Sequence, residues 1–462
     1  MGIKFRLSLL TFLQFAVWGS YLVSLGQYLG SSGLGREIQW FYAVGGFAAL
    51  FMPALMGAVA DRYVQAQKLL GTCHLLAAAF MLAAWAYGAF SGKVEFWTLF
   101  ILFSLSVAFY IPTLALCNSV SFTTLKKKGL EPVKAFPSIR IWGTIGFVAM
   151  MWVVNSMWIA DGSIGFTFNN QHPYAMSRMQ YTVAQLGASA VIGFLTAIYA
   201  FTLPEVVARR KATGNAGNGL SGWRAWPVIG SFRLLGYKQL LPFFLFSMFL
   251  GVALQINNGY VTPYLTHFHG LERFSGTFGA ANATLLSSLS QISEAFWILP
   301  VGCILARAGI KKTILMAMAA WVVNFFCFAL GDTGSGMWLI VTAMFVYGIG
   351  FDFFNIAGAL FVDKQAPATD KSAAQGLWMM MTKGIGSSLG MIGAGAVVNA
   401  FCYWEEIDGH RYFMGSWTSV WLIFCAYCLL VFFAFMFFFK APSKTSTLYF
   451  LFPLFIFYLC GQ

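Results

Sequence analysis

The sequence predicts an all-α integral membrane protein whose twelve transmembrane helices form two six-helix bundles. Three observations predict it. First, only 9% of the 462 residues are charged while 59% are hydrophobic, including 49 Phe, 16 Trp and 18 Tyr. A typical soluble protein carries about 25% charge, and so few charges cannot cover a water-soluble surface of this size. Second, twelve segments have the length of mostly apolar chain, about 20 residues, that a helix needs to cross a bilayer. Third, the basic residues crowd into alternate loops. The net charge of +13 and pI near 9.4 would otherwise suggest a nucleic-acid partner, but their positions oppose it.

The first span, 8–29, follows Lys4 and Arg6 like the start of a signal peptide. Its apolar run is too long and no small-residue cleavage site ends it, so it is expected to be retained. Span 2 (39–60) ends in Gly57-Ala-Val-Ala-Asp61-Arg62, and spans 3 (70–91) and 4 (97–120) flank a short loop with Lys93. Span 5 (140–160) follows Lys126, Lys127, Lys128 and Lys134, and contains Arg140. Span 6 (181–203) leads into 204–239, a connection with Pro204, six Lys or Arg, and the turn-rich stretch Thr213–Gly222. Spans 7 (240–264) and 8 (278–306) flank Arg273; span 8 holds Glu294 and ends in Gly302-Cys-Ile-Leu-Ala-Arg307. Spans 9 (313–331), 10 (336–362, with Asp352), 11 (372–400, with Lys383) and 12 (416–439) complete the set. The glycines of 384–395 favour close helix approach. Long alternation of apolar and polar residues is absent, which argues against a transmembrane β-barrel. The expected domains are therefore bundles at 1–203 and 240–440, a linker at 204–239, and a tail at 441–462. Within the tail, Leu448–Cys460 is too short to span and is broken by Pro453; no function is assigned to it.

Sorted by loop, 21 basic and five acidic residues lie on the side of the termini, against five basic and eight acidic on the other side. The bias of Lys and Arg toward cytoplasmic loops then places both termini in the cytoplasm. No Gly-x4-Gly-Lys-Ser/Thr phosphate loop is present, so nothing suggests an ATP-driven pump. Among the eight cysteines, Cys425 and Cys428 share a helical face within span 12 and are not read as a metal pair, and only Cys402 lies near the outer side, so no disulfide framework is expected. His172, His267, His269 and His410 lie in outer loops or span ends and His74 in span 3, which makes a poor metal set. No cofactor is expected. Asn282-Ala-Thr284 matches a glycosylation acceptor but stands at the start of a span.

Function should show where ionisable residues enter the membrane: Arg140, Glu294, Asp352 and Lys383. Each Arg, Lys or Asp at a helix centre costs about 2.5–3.5 kcal/mol on insertion scales. Four unpaired ions would approach the whole stability of a typical domain, roughly 5–15 kcal/mol. They are expected to face a cavity or one another. A structural ion-pair network is the simpler alternative, and Lys383 could instead snorkel toward an interface. Their neighbours say more. Arg140, Thr144 and Phe147 share a helical face, as do Gln255 with Asn258 and Gln291 with Glu294. Tyr347 and Phe351 share another, with Asp352 about 100° further round. Amides supply paired donors and acceptors, and aromatic faces supply a stacking platform. Such a site suits a neutral, flat, hydroxylated ligand. Nucleosides fit that description and sugars nearly as well.

Phe12-Leu-Gln-Phe-Ala-Val-Trp-Gly-Ser20, Phe136-Pro-Ser-Ile-Arg-Ile-Trp-Gly-Thr-Ile-Gly-Phe147, Ser290-Gln-Ile-Ser-Glu294 and Tyr347-Gly-Ile-Gly-Phe-Asp-Phe-Phe-Asn355 closely resemble the nucleoside:proton symporter family. That family is a branch of the major facilitator superfamily, whose two-bundle repeat plan matches the division at 204–239. Its loop motif also resembles Gly57 to Arg62, where an Asp caps a helix end and an Arg bridges to a neighbour. The resemblance covers nearly all of 1–440. It implies a multi-pass transporter of the bacterial inner membrane that imports nucleosides such as uridine with protons. Its partners are then a nucleoside, a proton and the lipid bilayer, with no nucleic acid, and the chain is expected to act as a monomer.

The resemblance associates Arg140, Thr144, Phe147, Gln255, Asn258, Gln291, Glu294, Tyr347, Phe351 and Asp352 with substrate binding or coupling, Asp352 or Glu294 carrying the proton. Lys383 departs from the neutral polar residue expected there and is a candidate charge partner for Asp352 or Glu294. Asn257 beside Asn258, and the apolar tail, also depart. The rivals are a sugar:proton symporter on the same fold, an uncoupled facilitator, and, last, a membrane-embedded enzyme, for which no catalytic set is found.

Overall fold

The computed structural model describes residues 2–169, 171–205, 232–237, 240–367, 370–407 and 409–439. Most of the expected linker and all of the tail, including Leu448–Cys460, lie outside the described residues. So do the side chains of Asp61 and Arg62.

Helices dominate, because a lipid-facing chain must satisfy its backbone hydrogen bonds internally. In chain order they are α1 (Ile3–Gly19), α2 (Leu25–Ser31), α3 (Ile38–Arg62), α4 (Ala66–Phe90), α5 (Phe96–Lys127), α6 (Pro132–Ser156) and α7 (Ala184–Phe201). There follow α8 (Leu240–His267), α9 (Ala283–Trp297), α10 (Val301–Leu330), α11 (Met337–Gln365), α12 (Ala373–Phe401) and α13 (Trp417–Phe438). Ten helices among the described residues are long and apolar enough to cross a membrane. Two expected spans fall short as single helices. The first is divided by the turn at 20–24 into α1 and α2. The eighth is divided at Pro300, so that 301–308 continues it into the start of α10. Within α10, Gly309 sits at φ +77°, ψ 168°, a conformation that glycine adopts without a side-chain clash. It separates 301–308 from 310–330.

The expected span 5 needs correction at both ends. Its helix begins at Pro132, where a proline at the first position is pre-organised for helix, and it ends at Ser156. Residues expected at its end instead form β1 (Met157–Ala160), paired antiparallel with β2 (Ser163–Phe166). The turn is Asp161-Gly162 with φ of +51° and +70°, the two-residue arrangement that matches strand twist. A second hairpin, β3 (Cys402–Ile407) with β4 (His410–Gly415), joins α12 to α13. The two hairpins lie on the same face of the molecule.

Close approach between helices rests on small residues. A Cβ on Gly19 or Gly146 would collide with the backbone of the facing helix at Phe147 or Phe12, which locks α1 against α6. Gly251, Gly386 and Gly390 do the same between α8 and α12, as the glycine run of 384–395 led one to expect. In a bilayer such contacts supply the van der Waals packing that hydrophobicity cannot. The largest buried apolar cluster runs from α2 and α3 into α8 and α10 to α13.

Hydrogen bonds between the part before residue 204 and the part after 239 gather toward the hairpin face. Gln27 donates to Thr266 Oγ1 (2.7 Å), Thr262 to Val23 O (2.6 Å), Asn155 to Asn282 Oδ1 (2.8 Å) and Trp152 to Ser288 Oγ (2.8 Å). At the opposite face, Tyr199 donates to Arg6 O (3.0 Å) and Lys311 to Met436 O (2.9 Å), bonds that stay within one part.

Candidate functional site

The four intramembrane charges come together between α6, α9, α11 and α12. Arg140 interacts electrostatically with Glu294 and Asp352, and Lys383 with Glu294 and Arg140. No ion pair within 4.0 Å joins any of the four among the described residues. The expected pairing is therefore a loose cluster. Arg140 is exposed, Glu294 and Lys383 are half-buried, and Asp352 is buried. Asp352 Oδ2 has no hydrogen-bond partner, a costly condition for a buried polar atom. The Arg140 guanidinium lies 4.1 Å from the centre of the Phe15 ring, and Lys383 Nζ 5.8 Å from that of Phe351. Both are within cation–π range.

The positions of these groups follow from local backbone features. Gly348 accepts the close approach of Ser293, whose Oγ takes the Gly348 N–H at 2.9 Å. This contact sets Tyr347 beside α9, with its hydroxyl near Gln291 and Glu294. Trp321 meets Tyr347 edge-on, ring centres 5.4 Å apart, and packs against Gly350. The Phe351 ring lies nearly parallel to Tyr347, centres 6.2 Å apart. Asp352 and Lys383 each sit on a π-helical turn, Ile349–Phe353 and Met380–Gly386. Such wide turns recur at functional sites, and nothing in the sequence pattern announced them.

Other expected site residues lie less directly on the cluster. Thr144 is half-buried on the Arg140 face, and Phe147 is buried against Val23 and Met151. Gln255 donates to Tyr42 O at 3.2 Å, so part of its amide is spent on α3. Asn258 is half-buried, while its neighbour Asn257 is buried with Oδ1 unpartnered.

Arg178, one of the five basic residues of the loops opposite the termini, is fully buried. It donates to Ala175 O (2.7 Å), Ala281 O (2.9 Å) and Asn282 Oδ1 (3.2 Å). Asn282, read as a glycosylation match, is equally buried and donates to Phe168 O at 3.0 Å. A cavity of about 480 Å³ on the hairpin face also lies apart from the charge cluster.

Long apolar helices that gather ionisable and amide side chains inside a bilayer are the layout of a membrane transporter. The comparisons with known proteins say which kind. Residues 1–444 match the family described as nucleoside H+ symporter, and the chain belongs to it. It is 36% identical over 456 residues to the nucleoside permease NupG of Escherichia coli, covering 97% of this chain and 99% of that protein. It is 35% identical over 444 residues to the xanthosine permease of Escherichia coli, covering 95% and 96%. A crystal structure of nucleoside transporter NupG superposes with a TM-score of 0.80 at 35% identity, covering 96% of this chain and all of that one.

Proposed function

We propose that this protein imports nucleosides, uridine among them, together with protons across a bacterial inner membrane by alternating access. One observation carries the reading: Arg140, Glu294, Asp352 and Lys383 converge on the Tyr347–Phe351 platform, and a carboxylate oxygen of Asp352 is left unpartnered. The base stacks on the aromatic platform, and Gln291, Gln255 and Asn258 offer amide hydrogen bonds. Thr144, Phe147, Arg140 and Glu294 complete the wall, the polar groups toward the ribose hydroxyls. Asp352 or Glu294 takes the proton, which removes a buried negative charge and lets the loaded site close on one side and open on the other. The membrane potential assists, one charge moved through 100 mV being worth ~2.3 kcal/mol.

The same reading has twelve passages, with α1–α2 and α9 with 301–308 each crossing as a broken helix. The passages fall into halves at 1–203 and 240–440, joined by 204–239. The distribution of basic residues supports cytoplasmic termini, which makes the hairpin face the outer one. Hydrogen bonds that join the halves near that face support a state closed outside. The names of the relatives at 35–36% identity support nucleosides as cargo. In this reading the chain acts as a monomer.

Radiolabelled uridine uptake into proteoliposomes, with and without an inward proton gradient, tests the proposal. Gradient-driven accumulation above the outside concentration is expected. Equal uptake in both conditions overturns the coupling, and displacement by ribose or glucose in place of nucleosides overturns the cargo.

A further inference from the structure

The cavity on the hairpin face is not used by this mechanism. We propose that it is a second nucleoside site, a vestibule that receives the substrate before it reaches the charge cluster. The inference rests on the nucleoside reading above and adds a place on the molecule. At about 480 Å³ the cavity falls within the range of small-molecule sites, roughly 300–1,000 Å³.

Its lining has the chemistry a nucleoside requires. Tyr181, Trp404, Tyr412 and Phe413 contribute aromatic surface; the hydroxyls of Ser31, Ser32, Ser91 and Thr266 donate to backbone carbonyls and keep oxygen lone pairs to accept from ribose hydroxyls, and Gln27 is held in the floor. The charges stay at the rim, where Lys93, Glu406 and Arg411 are exposed, while Gln27, Tyr181, Thr266 and Tyr412 are buried toward the floor. A ligand entering from the hairpin side therefore passes from a charged mouth to a neutral floor. That gradient suits an uncharged, hydroxylated, aromatic solute better than a phosphate or a metal ion.

The position is equally specific. The cavity straddles both halves of the chain, with α2 and the loop at 91–94 on one side and β3–β4 on the other. Its floor is the bond from Gln27 to Thr266, reinforced where Thr284 donates to Gln27 Oε1 at 3.2 Å. Those bonds must part before a solute can move from this face to Glu294 and Tyr347. A nucleoside held there waits directly above the gate.

Photolabelling of the full-length protein in nanodiscs with 5-azidouridine, followed by peptide mapping, tests the assignment. Two labelled regions are expected, one at Tyr347–Phe351 and one at 27–32 or 404–413, both lost with excess uridine. Ser31→Trp, which fills the cavity, should abolish the hairpin-face label and spare the other. Ser91→Trp at the loop does the same if Ser31→Trp fails to fold. Labelling at Tyr347–Phe351 alone, or hairpin-face label that uridine does not compete away, overturns the vestibule and leaves the transport reading standing. Hairpin-face label that survives both cavity-filling variants also overturns it. Absence of label at both regions overturns the nucleoside reading itself.

Discussion

In the alternating-access reading Trp404 wedges the hairpin face shut, and Gly30→Ala should release it. The indole projects from β3 onto α2 and the turn before α3, stacked on Phe413 with ring centres 4.6 Å apart and planes 9° from parallel. A Cβ on Gly30 would overlap Cη2 and Cζ3 of that ring and stand 2.7 Å from Cζ2; one on Gly35 would overlap Cε2 and Nε1. The ring is rigid and cannot yield as the end of a flexible chain would. Overpacking of this kind costs about 1–3 kcal/mol. Only the closed arrangement bears that cost, because only there does α2 meet β3. At about 1.4 kcal/mol per factor of ten, Gly30→Ala shifts the ratio of open to closed hairpin face by roughly 5- to 150-fold. Thr284 is fully buried, so Thr284→Cys reports the opening in a background with the eight native cysteines replaced. Maleimide labelling in nanodiscs should accelerate by that factor in Gly30→Ala. Trp404→Ala should accelerate it too, and Gly30→Ala should add nothing once Trp404 is gone, the non-additivity expected of residues in contact. Unchanged labelling in Gly30→Ala, or additive effects in the double variant, would refute the wedge.

Three further outcomes are expected. Asp352→Asn or Glu294→Gln should abolish concentrative uridine uptake while retaining counterflow, which identifies the coupling acid; if both variants still concentrate uridine, neither acid carries the proton. Arg178→Ala removes one donor from each of three oxygens, two of which keep a second donor in Asn155 or Gln180, and should lower stability by about 1–3 kcal/mol, seen as a lower melting temperature, and a melt unchanged from the parent would mean the arginine is idle. Lys383→Met removes a cation within electrostatic reach of Glu294, so the neutral acid is favoured and proton-driven uptake should persist to higher pH; an unaltered pH profile would show that Lys383 does not act on the coupling acid.

Much of the site was legible because intramembrane charge is costly. Arg140, Glu294, Asp352 and Lys383 stand out in any apolar segment, and helical spacing alone puts Gln291 with Glu294 and Tyr347 with Phe351. The hairpin at β1–β2 was legible too, since Asp161-Gly162 between short apolar runs is a strong turn signal, yet the apolar composition of 157–160 was absorbed into a span. Arg178 and Asn282 could not be read. A loop arginine and a glycosylation match are ordinary surface features until two distant loops fold over them. The vestibule is likewise assembled from α2, the loop at 91–94, the end of α8 and β3–β4, segments separated by up to several hundred residues.

The sequence by itself determined the medium, most of the spans and the intramembrane charges, because transfer into lipid is priced residue by residue and leaves its mark along the chain. Tertiary structure alone decided how those charges meet. Glycine contacts at Gly348, Gly251 and Gly386 and the π-helical turns at Asp352 and Lys383 set the approach and rotation of each helix. Those are relations between segments, and a linear pattern of apolar and polar residues does not encode distance across a bundle.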